Sequence, residues 1–98
     1  MENGSHPKWD DRIKIWSIWT IKDKDVVIST MAWSPELKLW MVIINFLVDD
    51  VIGHHRVALT EQVFLERYTR TADLWLCKKG SPFGGRRVAD LDLVEEIN

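Results

Sequence analysis

Hydrophobic and polar positions alternate with a period of two between Arg12 and Ile21. Ile13, Ile15, Trp19 and Ile21 fall on one side and Arg12, Lys14, Trp16 and Lys22 on the other, as a half-buried strand requires. Lys22-Asp23-Lys24-Asp25 is too polar for anything but a turn. The run from Val26 to Trp33 follows with Val26, Val27, Ile28 and Thr30, a β-branched density that suits a pleated surface. The two runs predict a hairpin.

Ser34-Pro35-Glu36 admits two readings. Ser followed by Pro is a good helix start, and Leu37 to Val48 then reads as a buried helix. Pro35 equally suits the second position of a tight turn joining Trp33 to Lys38. Val42, Ile43, Ile44, Phe46 and Val48 crowd the segment with β-branched and aromatic side chains, so we take a strand from Leu39 to Val48, apolar on both faces and covered on both. Asp49 to Gly53 then turns the chain, and His54 to Leu59 returns as a short strand.

A helix is predicted from Thr60 to Lys79. Thr60 serves as N-cap, Glu61 favours the positive end of the dipole, and Leu59 and Phe64 occupy the hydrophobic-staple positions. Lys78 and Lys79 stand in the last turn, Gly80 follows, and Pro82 prevents resumption. Phe64, Leu65, Tyr68, Ala72, Trp75 and Leu76 share one arc, with Glu66 and Arg70 paired on the opposite side. Ser81 to Arg87 reads as a loop. Val88 to Ile97 alternates like a strand but also offers Leu91, Val94 and Ile97 at helical spacing, and local pattern does not decide between them.

The expected fold is α+β: an antiparallel four-stranded β-meander with one long helix packed on one face, a two-layer sandwich. Residues 1–11 are expected to form a flexible N-terminal tail and residues 12–98 a single α+β domain. Ninety-eight residues leave room for one modest core and no second domain.

Composition alters this picture in three ways. Six of the ten aromatic residues are Trp. Trp19, Trp33 and Trp75 lie where the periodicity points inward, whereas Trp9, Trp16 and Trp40 are harder to bury. The net charge is −2, which argues against a dedicated nucleic-acid binder, whose footprint is usually strongly basic. The charge is uneven: residues 67–87 carry six basic side chains against Asp73 alone, and residues 88–98 carry four acidic ones. Cys77 is the only cysteine, so no intrachain disulfide forms, and the expected setting is reducing and cytoplasmic. The first residues lack the basic start and apolar stretch of a secretion signal, and no run reaches the ~18 apolar residues of a membrane span.

Candidate chemistry is sparse. Asp49, Asp50, His54 and His55 are the one cluster resembling a metal site, but adjacent histidines on a strand point to opposite faces, and acids at a turn are ordinary turn chemistry. The same histidines supply a general base only if a nucleophile stands near them, and no Gly-x-Ser-x-Gly elbow, Cys-His signature or His-Glu-x-x-His helix is present. Cys77 lies beside Lys78 and Lys79, which favour a thiolate, although a partly buried spacer is the commoner role. Phe83-Gly84-Gly85-Arg86-Arg87 is a basic glycine loop able to hold a phosphate or carboxylate, without the Lys-Ser/Thr of a nucleotide loop. The C-terminal acids alternate with Leu and Val, which suits an edge strand or helix returning to the domain.

The functional expectation is a small intracellular interaction module of inhibitor, immunity or adaptor type. It binds a protein partner through an aromatic and basic surface formed by Arg12, Lys14, Trp16, Trp40, Phe83, Arg86 and Arg87. A homodimer through edge strands or aromatic faces fits the same features. The alternative is a nucleic-acid-binding domain that uses the Trp/Arg/Lys face and the Gly-Gly-Arg-Arg loop. A small enzyme built on His54 or His55 stands behind both. No cofactor, catalytic residue or metal ligand is assigned.

Overall fold

The computed structural model describes residues 6–79 and 81–89, with the side chains of residues 81–83 outside the description. The chain forms β1 (Ser17–Ile21), β2 (Lys24–Ser34), β3 (Leu39–Val48), β4 (Val51–Thr60), α1 (Glu61–Arg67), β5 (Thr69–Lys78) and β6 (Ser81–Ala89). All pairs are antiparallel, in the order β4-β3-β2-β1-β5-β6. The fold is therefore a curled six-stranded sheet with one short helix, which corrects the expected four-stranded meander under a long helix.

The first four strands keep the predicted order with shifted bounds: β1 begins at Ser17 rather than Arg12, β2 at Lys24, and β4 at Val51 rather than His54, so the expected turn over Asp49–Gly53 shrinks to two residues. Val48 pairs with Val51 across Asp49-Asp50, and both aspartates have positive φ (53° and 60°), as a two-residue hairpin turn of type I′ demands. The β2–β3 turn closes when the Lys38 N–H donates to the Ser34 carbonyl at 2.7 Å, with Lys38 at φ 57°. That turn makes Leu39–Val48 a strand rather than a helix.

The long helix is where expectation fails. Thr60 caps α1 as predicted, its hydroxyl accepting from the Val63 N–H at 3.3 Å. The helix ends after Arg67, where Tyr68 adopts extended backbone, so the expected Glu66–Arg70 helical pair does not exist. Two β-branched residues, Thr69 and Thr71, weaken continuation. The stronger cause is β1, whose second edge carries backbone donors and acceptors that need partners. The chain from Thr69 supplies them, pairing Thr20 with Thr69, Trp19 with Arg70 and Ser17 with Leu74. The predicted loop at residues 81–87 becomes β6 on the far side of β5, so Gly84-Gly85-Arg86-Arg87 is strand and not loop. The alternating segment after Ala89 lies outside the described residues.

A three-residue bulge bends β5. Thr71, Ala72 and Asp73 stand opposite the single residue Ile18. The Thr71 hydroxyl donates to the Ile18 carbonyl at 2.7 Å, and Arg70 Nη1 donates to the carbonyls of Thr71, Asp73 (3.0 Å) and Ile18 (3.4 Å). Bulges of this kind increase local twist. Here the β5–β6 hairpin is carried over one face of the sheet until β6 approaches the opposite edge, β4.

Two cores result, one on each face. Trp19, Val26, Ile28, Val42 and Ile44 pack under Phe64 and Tyr68, with Ile13 of the N-terminal segment closing the side. On the other face Ile18, Val27 and Ile52 meet Trp75, flanked by Trp16, Leu47 and Cys77. Ile52 lies on edge strand β4 and Trp75 on β5, so their contact requires the curl. Each such buried side chain contributes about 1.5–3 kcal/mol relative to exposure. Among the described residues no helix is long and apolar enough to cross a membrane.

Candidate functional site

An aromatic cluster gathers at the β2–β3 turn. Register places Trp33 directly opposite Trp40, on one face, with ring centroids 5.4 Å apart and edge to face. The N-terminal segment runs across them. His6 stacks on Trp33 at 4.2 Å, and Trp9 meets Trp40 edge-on at 4.8 Å. The Trp40 indole N–H donates to the Pro7 carbonyl at 2.6 Å, and the Trp9 indole N–H donates to the Ile13 carbonyl at 2.9 Å. Aromatic pairs of this geometry contribute about 0.5–1.5 kcal/mol beyond their burial. In the adjoining turn and at the start of β3, Leu37 and Leu39 are 56% and 48% exposed, and Leu39 lines a groove with Arg12 and Leu65. A pocket of about 310 Å³ opens between His6, Pro7, Lys8, Trp9, Asp11 and Trp40.

The segment is anchored electrostatically as well. The Asp10 N–H donates to the Glu61 carboxylate at 2.7 Å, tying it to the start of α1. Arg12 grips the Asp10 carboxylate with Nε at 2.9 Å and Nη2 at 2.8 Å. The Arg12 side-chain bonds, with the Arg12 backbone N–H, lower the Asp10 pKa to about 2.

Among the described residues, those singled out in the sequence do not form one surface. Arg12 is paired with Asp10, and with Lys14 it lines an open groove beside Trp19, Tyr68 and Arg70. Trp40 belongs to the aromatic cluster. Trp16 faces the opposite core, because its backbone has φ 73° and alternation holds only for extended chain. At that φ the Trp16 N–H donates to Ile28 and its carbonyl accepts from Trp75, both at 2.7 Å, so the residue links β2 and β5. Phe83 and Arg86 lie on β6, and Arg86 is exposed.

Arg87 is a structural residue. Its Nη1 donates to Asp25 at 2.6 Å and its Nε to Asp73, joining β6, β2 and β5 across the curl. Burial alone would lower the Arg87 pKa, but the two aspartates outweigh it and hold it above its ordinary value. The bond from Arg87 in turn lowers the Asp25 pKa.

Other candidate chemistry disperses. No group of three or more His, Cys, Asp or Glu side chains gathers around a metal position among the described residues. His55 packs on Phe46 at 5.1 Å. Burial pushes the Cys77 thiol up, away from thiolate character.

The sequence pattern sends Trp33 inward and gives no reason to place His6, Leu37 or Leu39 at a site. A usable signal for the first was the turn itself. Once Pro35 starts a four-residue turn between Ser34 and Leu39, counting outward pairs Trp33 with Trp40. Nothing local announces that His6 folds back onto them. No family model, curated protein or solved structure matches this chain.

Proposed function

We propose that the chain is a protein-interaction module whose contact surface is the aromatic end of the β2–β3 hairpin. Trp40 packs on both Trp9 and Trp33 there, and Leu37 and Leu39 are exposed in the turn and at the start of β3. Rigid indoles lose little entropy on binding, and Trp-centred patches carry much of the energy of protein interfaces. The observation that carries the reading is this coincidence of pre-packed rings and exposed leucines at one end of the molecule. The nucleic-acid alternative draws less support, since Trp16 lies apart from Arg12 and Lys14, and Arg87 is engaged inside the fold.

The test compares the wild-type chain with a Leu37→Asp/Leu39→Asp double variant and a Val48→Asp control. Val48 is 60% exposed at the opposite end of β3, so all three proteins are expected to fold. Native mass spectrometry of complexes isolated from nuclease-treated extract should show a stoichiometric protein partner. The double variant should lose it and the control should keep it. A complex that nuclease abolishes, or that survives the double substitution, overturns the reading.

A further inference from the structure

Two irregularities of the sheet meet at one residue. β2 carries one extra residue at Ser29, and on β4 Gly53, His54 and His55 stand opposite the single residue Phe46. Both bulges flank Asn45 of β3, which is 2% exposed. The Ser29 hydroxyl donates to Asn45 Oδ1, and Arg56 Nε approaches the same oxygen at 3.5 Å. Asn45 Nδ2 donates to the Gly53 carbonyl at 3.0 Å. A carboxamide has two N–H donors, and Gly53 accepts one of them.

The bulges leave a pocket of about 250 Å³ lined by Asn45, Gly53, His54 and Arg56, with no carboxylate in its wall. Arg56 differs from the ion-paired arginines Arg12 and Arg87. Arg87 on β6 is neutralised by Asp25 and Asp73, and Arg12 of the N-terminal segment by Asp10. Neither Nη group of Arg56 meets an acceptor among the described residues, while its Nε is oriented by Asn45. The wall therefore presents a guanidinium fork, an imidazole and a buried amide N–H, from two neighbouring strands rather than from one plane. Donors converging from several directions suit tetrahedral oxygens better than a planar carboxylate, which one fork satisfies.

The geometry points to a phosphate-type oxyanion site at Asn45, His54 and Arg56. The Arg56 fork supplies charge and two donors, and the Asn45 amide and His54 ring supply further ones. Ser29 positions Asn45 and does not touch the ligand. The site lies on β3 and β4 and is independent of the aromatic surface, so it stands or falls separately from the interaction reading.

The experiment is an NMR titration of the folded chain with inorganic phosphate at constant ionic strength. Saturable shifts are expected at the Asn45 side-chain amide, Gly53, His54 and Arg56. Arg56→Gln should weaken binding roughly tenfold, the scale of one lost charged hydrogen bond. Arg67→Gln removes the same charge from an exposed helical position and should leave affinity unchanged. Acetate should bind more weakly than phosphate. O-phosphoserine is the second probe: tighter binding than inorganic phosphate assigns an esterified ligand, and weaker binding assigns the free ion. Shifts that follow ionic strength alone, equal loss in Arg67→Gln, or acetate binding as tight as phosphate overturn the proposal.

Discussion

Replacing Arg87 with Met should destabilise the fold, because its guanidinium joins three strands. The side chains of Arg87, Asp25 and Asp73 are 29%, 33% and 26% exposed, so water screens them in part. Partly exposed ion pairs contribute about 0.2–1 kcal/mol each. Arg87→Met also leaves Asp25 and Asp73 without their shared cation, so the total loss is about 1–2 kcal/mol. For a domain of this size that lowers Tm by roughly 5–15 °C. Urea unfolding followed by tryptophan fluorescence measures it. A double-mutant cycle with Asp25→Asn isolates the pair and should return about 0.5–1 kcal/mol of coupling. The sign with pH follows from Asp25, whose pKa is lowered in the folded state. Its contribution is complete above the ordinary value of 3.8 and is lost as pH falls through the lower folded value. Asp25→Asn should therefore be less stable than wild type at neutral pH and lose less stability below pH 3.8. Strict additivity in the cycle, or a wild-type midpoint for Arg87→Met, would refute the claim that Arg87 holds the curl closed.

Phe64 is fully buried between Trp19 and Tyr68, so Phe64→Ala should cost about 3–5 kcal/mol and collapse the near-ultraviolet circular dichroism of the first core. Lys38 sits at φ 57°, where an L-residue is disfavoured, so Lys38→Gly should raise stability by about 1 kcal/mol in urea; a loss would mean the turn is built otherwise. Asp10 should titrate near its lowered value of about 2 when its carboxyl carbon is followed by NMR, and Arg12→Gln should return it toward the ordinary 3.8.

Much of the meander was legible because its determinants are local. Charged turn residues, β-branched runs and Pro35 act on their immediate neighbours, and the Thr60 cap fixed the start of α1. The stop of α1 was not legible. Tyr68 to Leu76 offers apolar spacing compatible with a helix, and only the unpaired edge of β1 makes a strand preferable. The candidate site was half visible. In the sequence Trp40 stands out as hard to bury, alternation alone sends Trp33 inward, and nothing local draws His6 out of the N-terminal residues. From sequence alone Arg87 belongs to the expected binding surface, because its partners, Asp25 and Asp73, stand 62 and 14 residues away.

The sequence by itself determined roughly where the chain turns between β1 and β4 and which residue caps the helix, since these depend on contacts a few residues apart. Only the tertiary structure decided that Thr69 onward extends the sheet, that a bulge at residues 71–73 folds it over itself, and that Trp16 turns away from Arg12 and Lys14. Those outcomes rest on backbone groups and charges finding partners far along the chain, and no local pattern encodes a distant partner.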